Sequence, residues 1–513
     1  MLYLQTNAKP TETEQMIMKY VSTRDTSILV ESSQAIAQGI SKDGGLFVPN
    51  EIPQISAEEI KALTPCTYIE RAKNILGRFL TDFTDEELSA CVQGAYGTGF
   101  SSEKVAPVVS IDENTHILEL FKGPTCAFKD MALQILPRLL TVAAGKAAKG
   151  TEIVILVATS GDTGKAALEG FKDVENTRIL VFYPSDGVSP MQKLQMCTQE
   201  GKNVSVCAIK GNFDDAQSGV KKIFTDSAIA EKLKQNGMAF SSANSINWGR
   251  LAPQIVYYFS AYCDLLAEGK IKCGDKINVV VPTGNFGDIL AAYYAKEMGL
   301  PVAKLVCASN SNSVLTEFLT TGTYNKNRQF YTTISPSMDI LISSNLERLL
   351  YSVAGSESTK QWMKELSDCG KYTVDGKTLE KIKSQFAAGC CNDDETKETI
   401  SRIFKEKNYL CDTHTAVAVK VCEEYRKATG DKTPCVIAAT ASPFKFSKAV
   451  LEAVEGKKSE LNEFDMVEKL AEITGLKCPE QLASLRNKAV RFNDCTDKNE
   501  MEKVVFDMLK IAE

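Results

Sequence analysis

From about residue 110 onward, short apolar, β-branched runs alternate with stretches of helical periodicity. The runs fall at 117–121, 152–158, 178–183, 204–209, 276–281, 304–308 and 435–440. They are continuously apolar, the pattern of parallel strands covered on both faces. The chain is therefore expected to be α/β, with two parallel-sheet lobes that divide between residues 250 and 275. Residues 20–105 read as mixed and mostly helical, interrupted by a turn at Asp43-Gly44-Gly45. A more polar stretch, about 325–405, reads as a helical insertion or cap. Three regions follow: an N-terminal domain at 1–105, with 1–17 as a loose extension; a smaller lobe at 106–265; and a larger lobe at 266–513.

A length of 513 residues agrees with several domains, since one core seldom serves so long a chain. The apolar fraction (44%) and net charge (−6) offer no basic face for nucleic acid. No apolar run reaches the roughly 20 residues of a membrane span, and the first residues lack the apolar core of a signal peptide. Sixteen cysteines occur without a single C-x-x-C pair, which favours reduced thiols in a cytoplasmic protein over a zinc site or disulfide framework. Only two histidines are present, so acid–base chemistry has to come from lysine, carboxylates or a cofactor, and no metal site is expected.

In α/β sheets, ligands bind beyond the carboxyl ends of the strands. Four loops there carry unusual residues. In Lys122-Gly123-Pro124-Thr125-Cys126-Ala127-Phe128-Lys129-Asp130, Lys129 meets the start of a helix. The helix dipole and partial burial both favour its free amine, although a lysine snorkelling at the surface would look the same. Thr159-Ser160-Gly161-Asp162-Thr163-Gly164 offers hydroxyls and N–H groups suited to a carboxylate, or is a capping loop. Thr159 replaces the first glycine of a P-loop, and Ala166 replaces its magnesium-binding hydroxyl. Pro282-Thr283-Gly284-Asn285-Phe286-Gly287-Asp288 allows close backbone approach to a phosphate, or is a tight turn that needs positive φ. Ala439-Thr440-Ala441-Ser442-Pro443-Phe444-Lys445-Phe446 follows a strand ending near Thr440, whose neutral hydroxyl could meet a ring nitrogen or cap a helix.

Taken together, these loops resemble the tryptophan-synthase-like group of pyridoxal-phosphate enzymes, and within it the threonine synthase family. The likeness also rests on Gln38-Gly39 with Asp43-Gly44-Gly45-Leu46, Ser189-Pro190 with Gln192, Gly211-Asn212, and Asn244-Ser245-Ile246-Asn247-Trp248 with Arg250. It extends over nearly the whole chain. Three positions depart from the family's usual residues: Lys122 and Ser442 stand where histidine is familiar, and Thr413 where proline is.

The resemblance implies a tryptophan-synthase-like fold and pyridoxal 5'-phosphate carried on Lys129 as a Schiff base. Gly284, Asn285, Phe286, Gly287 and Asp288 would line the cofactor phosphate, and Thr440 would meet the pyridine nitrogen. Thr159, Ser160, Gly161, Asp162 and Thr163 would face the substrate carboxylate. Arg250 and Lys122 are candidates for the substrate phosphate, since a guanidinium fork or an ammonium suits it. The implied reaction converts O-phosphohomoserine and water to threonine and phosphate in a monomer or homodimer. A related phospholyase or dehydratase, and a catalytically silent binding protein, are the alternatives.

Overall fold

The computed structural model describes residues 17–147, 150–159, 161–185 and 188–511, with the backbone alone at 213 and 214. Residues 1–16 of the expected extension, and Ser160, lie outside these.

Near the N-terminus, strands β1 (Tyr20–Ser22), β2 (Leu29–Val30) and β3 (Phe47–Pro49) form a small antiparallel sheet. The helices that follow, Ala57–Leu63, Tyr68–Gly77 and Asp85–Tyr96, each begin with a reciprocal capping box: Ser56 with Glu59, Thr67 with Glu70, Thr84 with Glu87. The helical reading of this region holds. The three strands are too short for periodicity to show them.

The remaining strands are β4 (Val108–Ser110), β5 (Thr115–Glu119), β6 (Glu152–Ala158), β7 (Thr177–Pro184), β8 (Val204–Lys210), β9 (Met238–Ser241), β10 (Ile277–Pro282), β11 (Val302–Ser309), β12 (Thr323–Asn325), β13 (Lys371–Thr373), β14 (Phe386–Cys390), β15 (Cys435–Ala439) and β16 (Cys495–Asp497). Every apolar run named above forms a strand. A five-stranded sheet has the order β16-β8-β7-β6-β9, and all its pairs are parallel. A six-stranded sheet has the order β14-β11-β10-β15-β5-β4, parallel apart from the β4–β5 pair at its edge.

Sheet membership cuts across the divisions read from the sequence. Strands β4 and β5, after residue 106, belong to the sheet that otherwise uses residues beyond 266, and β16 returns to the five-stranded sheet. Nor is 325–405 simply a helical cap. It supplies helices, the β12–β13 hairpin, and strand β14, which extends the six-stranded sheet beside β11. Polar flanks hide this strand, and its Phe-Ala-Ala-Gly-Cys sequence is only weakly β-forming.

Helix Trp248–Ala267 is buried on all sides over most of its length, as a helix apolar all round should be. Its first residue, Trp248, meets Tyr20, Phe79 and Tyr294 edge-on at 5.4–5.5 Å. The N-terminal region is thereby packed onto the core beneath the loops described next. Among the described residues, no helix is long and apolar enough to cross a membrane.

Candidate active site

Strands β10, β15 and β5 are neighbours at the centre of the six-stranded sheet. Their carboxyl ends lead into the Gly284, Thr440 and Lys129 loops, so the sheet order itself brings these three together. The Thr440 carbonyl accepts the N–H of Phe128 (2.8 Å), the Cys126 carbonyl accepts that of Ser442 (3.0 Å), and Ala127 bridges Ala441. The Lys129 loop is thus tied to the end of β15 by backbone bonds. Cys126 takes a left-handed φ of 58° to make the turn.

Lys129 caps the short helix Asp130–Leu133 and is only 9% exposed. Burial is the main influence on its ammonium, lowering it from 10.5 to about 8. Asp162 pulls it upward, while Arg250 and Lys445 repel it further down. A four-residue helix has little dipole, and burial is the larger cause.

The 159–164 loop arrives from β6 in the other sheet. Thr159 Oγ1 accepts the N–H groups of Gly161 (3.0 Å) and Gly164 (2.9 Å), so these two donors serve the loop itself. Gly161 has φ 139°, and a Cβ there would meet the Gln192 amide at 2.5–2.7 Å. Thr163 is partly exposed at the helix start. Asp162 turns into the site: its Oδ2 lies 3.9 Å from Lys129 Nζ, and its Oδ1 takes Lys445 Nζ (2.7 Å) and Gln192 Nε2 (2.9 Å). Burial works to raise this carboxyl, but the ammoniums of Lys445 and Lys129 outweigh it and hold it well below the usual range.

Lys445 is a residue that sequence reasoning missed. It sits in Pro443-Phe444-Lys445-Phe446, is 0% exposed, and donates also to the Thr125 carbonyl (3.0 Å). A lone charge between aromatic residues just beyond a strand end was the available signal.

In the Gly284 loop the donors and acceptors are treated differently. Among the described residues, no acceptor is paired with the backbone N–H groups of Gly284, Asn285, Phe286, Gly287 or Asp288. The carbonyls are taken: that of Gly284 accepts Ser343 Oγ (2.8 Å), and that of Asn285 accepts both the N–H and Nδ2 of Asn345 (3.1 Å each). Residues 335–345 therefore form a strap that ties off the acceptors and leaves a row of donors at the start of helix Gly287–Glu297, the geometry an anion requires. His414, braced by Asp412 (2.7 Å), accepts the Ser337 N–H (3.2 Å) and anchors the strap. None of these strap contacts was visible in the sequence pattern.

Positive φ in this loop belongs to Phe286 (63°), not to its glycines. Gly284 is required for another reason: a Cβ there would stand 2.5 Å from the Ser337 carbonyl. Asp288 points away from the donor row into helix Trp248–Ala267, where Tyr257 and Tyr258 both donate to its Oδ1 (2.5 Å each). Burial lifts its carboxyl to about 6, opposed by those two hydroxyls and by Lys129.

The two phosphate candidates part company. Arg250 is buried, its side chain has the Ala243 carbonyl (2.6 Å) as its one acceptor among the described residues, and burial brings it from 12.5 to about 10. Among the described residues no carboxylate pairs with it. Lys122 is paired with Glu119 at 2.8 Å, with its side chain 29% exposed, so its charge is already matched. A surface cavity of about 470 Å³, lined by Glu31, Gln34, Asp82, Thr84 and Lys146 among others, shares no residue with this site.

Three family descriptions match along the chain: "Threonine synthase N terminus" over 19–96, "Pyridoxal-phosphate dependent enzyme" over 116–441 and "Threonine synthase, C-terminal" over 415–505. Human threonine synthase-like 1 is 41% identical over 84% of this chain, which spans 58% of that protein's length. The threonine synthase of Pseudomonas aeruginosa is 38% identical over 86% of this chain and 91% of its own. The crystal structure of pyridoxal-phosphate-bound threonine synthase from Brucella melitensis superimposes with a TM-score of 0.85 at 38% identity, covering 96% of this chain and 99% of that one.

Proposed function

This chain belongs to the threonine synthase family of pyridoxal-phosphate-dependent enzymes, and from that premise we propose that it converts O-phospho-L-homoserine and water to L-threonine and phosphate. The observation that carries the reading is the buried Lys129 amine, held where the loops of both sheets converge. Two features fit this site to the cofactor: an amine already shifted toward its nucleophilic form, and a row of unpaired N–H donors for a phosphate. When bound, pyridoxal phosphate supplies a conjugated ring that takes up the electron pair left on the substrate's α-carbon, a task beyond any side chain.

In this proposal Lys129 holds the cofactor, the N–H groups of Gly284, Asn285, Phe286, Gly287 and Asp288 bind its phosphate, and the Thr440 hydroxyl meets its ring nitrogen. Asp288 contributes through its backbone, since its carboxyl is engaged by the two tyrosines. The Thr159–Thr163 loop receives the substrate carboxylate on the N–H groups not claimed by Thr159. Arg250, the unpaired buried cation, receives the substrate phosphate in preference to Lys122. Once the substrate's amine has replaced it, Lys129 takes the α-proton at its Nζ, and Asp162 steadies the resulting ammonium from 3.9 Å. A second deprotonation at Cβ lets the Cγ–O bond break, and phosphate leaves with the electron pair. A proton would then be delivered to Cγ, water would add at Cβ with loss of one of its protons, and Lys129 would return a proton to Cα, which completes threonine. We place this chemistry in a cytoplasmic monomer or homodimer acting on a small molecule.

The test is turnover of O-phospho-L-homoserine by protein loaded with pyridoxal phosphate. Equal amounts of threonine and phosphate are expected. Phosphate with ammonia and a keto acid would instead make the chain a phospholyase, and an idle protein would refute both. Lys129→Ala should fold and lose at least the ~10²–10⁴-fold typical of a missing general base.

A further inference from the structure

Lys445 has no part in the chemistry above, yet it is a fully buried lysine at the centre of the site. It makes two contacts, Asp162 Oδ1 at 2.7 Å and the Thr125 carbonyl at 3.0 Å. The second is a rigid anchor: Thr125 is itself bonded through its N–H (2.8 Å) and hydroxyl (2.7 Å) to Asp130, the residue after Lys129. Gln192 Nε2 holds the same Oδ1 at 2.9 Å. Asp162 is therefore gripped by one oxygen, while the other stands 3.9 Å from Lys129 Nζ, beyond hydrogen-bond distance.

We propose that Lys445 is a positioning residue: by gripping Asp162 through Oδ1 it prevents that carboxylate from closing on Lys129, leaving the Lys129 amine free to react. This rests on the reading of Lys129 as the cofactor-bearing amine. Two lysines compete for one buried carboxylate, and the geometry awards it to Lys445. Without that competitor Asp162 would be a buried charge with a single cation in reach, and it would turn to Lys129 and fix it as an ammonium. An ammonium cannot attack an aldehyde. The groups facing Lys129 are Asp162 and Lys445 on two of its sides, Arg250 from helix Trp248–Ala267, Asp130 beside it, and Asp288 from helix Gly287–Glu297. Of these, Asp162 is the carboxylate in reach of Nζ, and Lys445 is what occupies it.

The experiment follows attachment of pyridoxal phosphate to the apo-protein between pH 6 and 10. The adduct, formed by condensation of the Lys129 amine with the aldehyde and loss of water, is reduced by borohydride to a stable amine and located by peptide mass. Lys445→Met should move the midpoint of the rate–pH curve upward by about one unit, slowing attachment about tenfold at neutral pH. In an Asp162→Asn background the same substitution should move the midpoint by less than half as much, because only the direct repulsion between the two ammoniums is left to remove. An unmoved midpoint in Lys445→Met, or an equal shift in both backgrounds, overturns the proposal. Should Lys445→Met alone fail to fold, Lys445→Gln takes its place in both backgrounds and is judged by the same comparison. The readout uses pyridoxal phosphate and no amino acid, so failure to make threonine leaves it standing. Absence of any Lys129 adduct in the unaltered protein would instead sink the reading of Lys129.

Discussion

Gly284→Ala tests the strap and the donor row together, and Gly287→Ala is its internal control. The added methyl at 284 would lie 2.5 Å from the Ser337 carbonyl oxygen, whereas at 287 the nearest atom is the Asn345 amide nitrogen at 3.4 Å, an ordinary contact. To accept the first methyl, strap and loop must separate by roughly 0.9 Å to recover van der Waals distance. They are not free to do so, being joined by Ser343 to the Gly284 carbonyl, by Asn345 to that of Asn285, and by His414 to Ser337. Overpacking of this kind costs about 1–3 kcal/mol. If the strain moves the donor row, affinity for pyridoxal phosphate falls about 5- to 150-fold at 1.4 kcal/mol per tenfold. Gly287 opens a helix without left-handed φ, so alanine there should leave apo-protein stability equal or up to ~1 kcal/mol higher. Urea unfolding of both apo-variants, with cofactor titration of Gly284→Ala, gives the numbers. A Gly284→Ala protein as stable and as tight as the parent, or a Gly287→Ala protein destabilised as much, would refute the packing argument.

Arg250→Met should lower kcat/KM for O-phosphohomoserine by about 10- to 150-fold, the cost of a charged hydrogen bond, while cofactor affinity stays within about twofold. Lys122→Ala should cost no more than the ~0–1 kcal/mol of a surface ion pair, and steady-state kinetics showing the reverse ranking would discard the phosphate assignment. Thr440→Ser should keep most activity because the hydroxyl survives. Thr440→Asp should favour a protonated ring and divert turnover toward the pyridoxamine form, and an unchanged ratio of threonine to pyridoxamine phosphate would show that Thr440 is not the ring's partner.

The strands around the site were legible because each is buried on both faces, which leaves an uninterrupted apolar run such as 153–158 or 279–282. The loops after them were legible because unusual residues cluster at strand ends. Partners supplied from elsewhere in the chain were not. Gly284 looked like a turn glycine, but the need for it comes from Ser337, and the left-handed residue is Phe286. Lys445 lay inside a loop already marked as interesting, yet nothing local says that Asp162, on the other sheet, will meet it. Lys122 read as an anion ligand until Glu119, three residues earlier, proved to hold it.

The pairing of β5 with β15 joins Thr115 to Cys435, residues roughly 320 positions apart, and the Lys129 and Thr440 loops hang from its end. Loop-closure entropy delays such a contact until much else is in place. Four of the five strands of the other sheet, all but β16, lie between those partners in the chain. Lys129 is therefore made early in synthesis, and its surroundings are assembled late. During translation Lys129 is therefore expected to stay an ordinary exposed amine until about 300 further residues have emerged and β15 can dock. A pulse of cofactor given to ribosome-bound chains of increasing length would find no specific lysine until residues beyond 440 were free to fold.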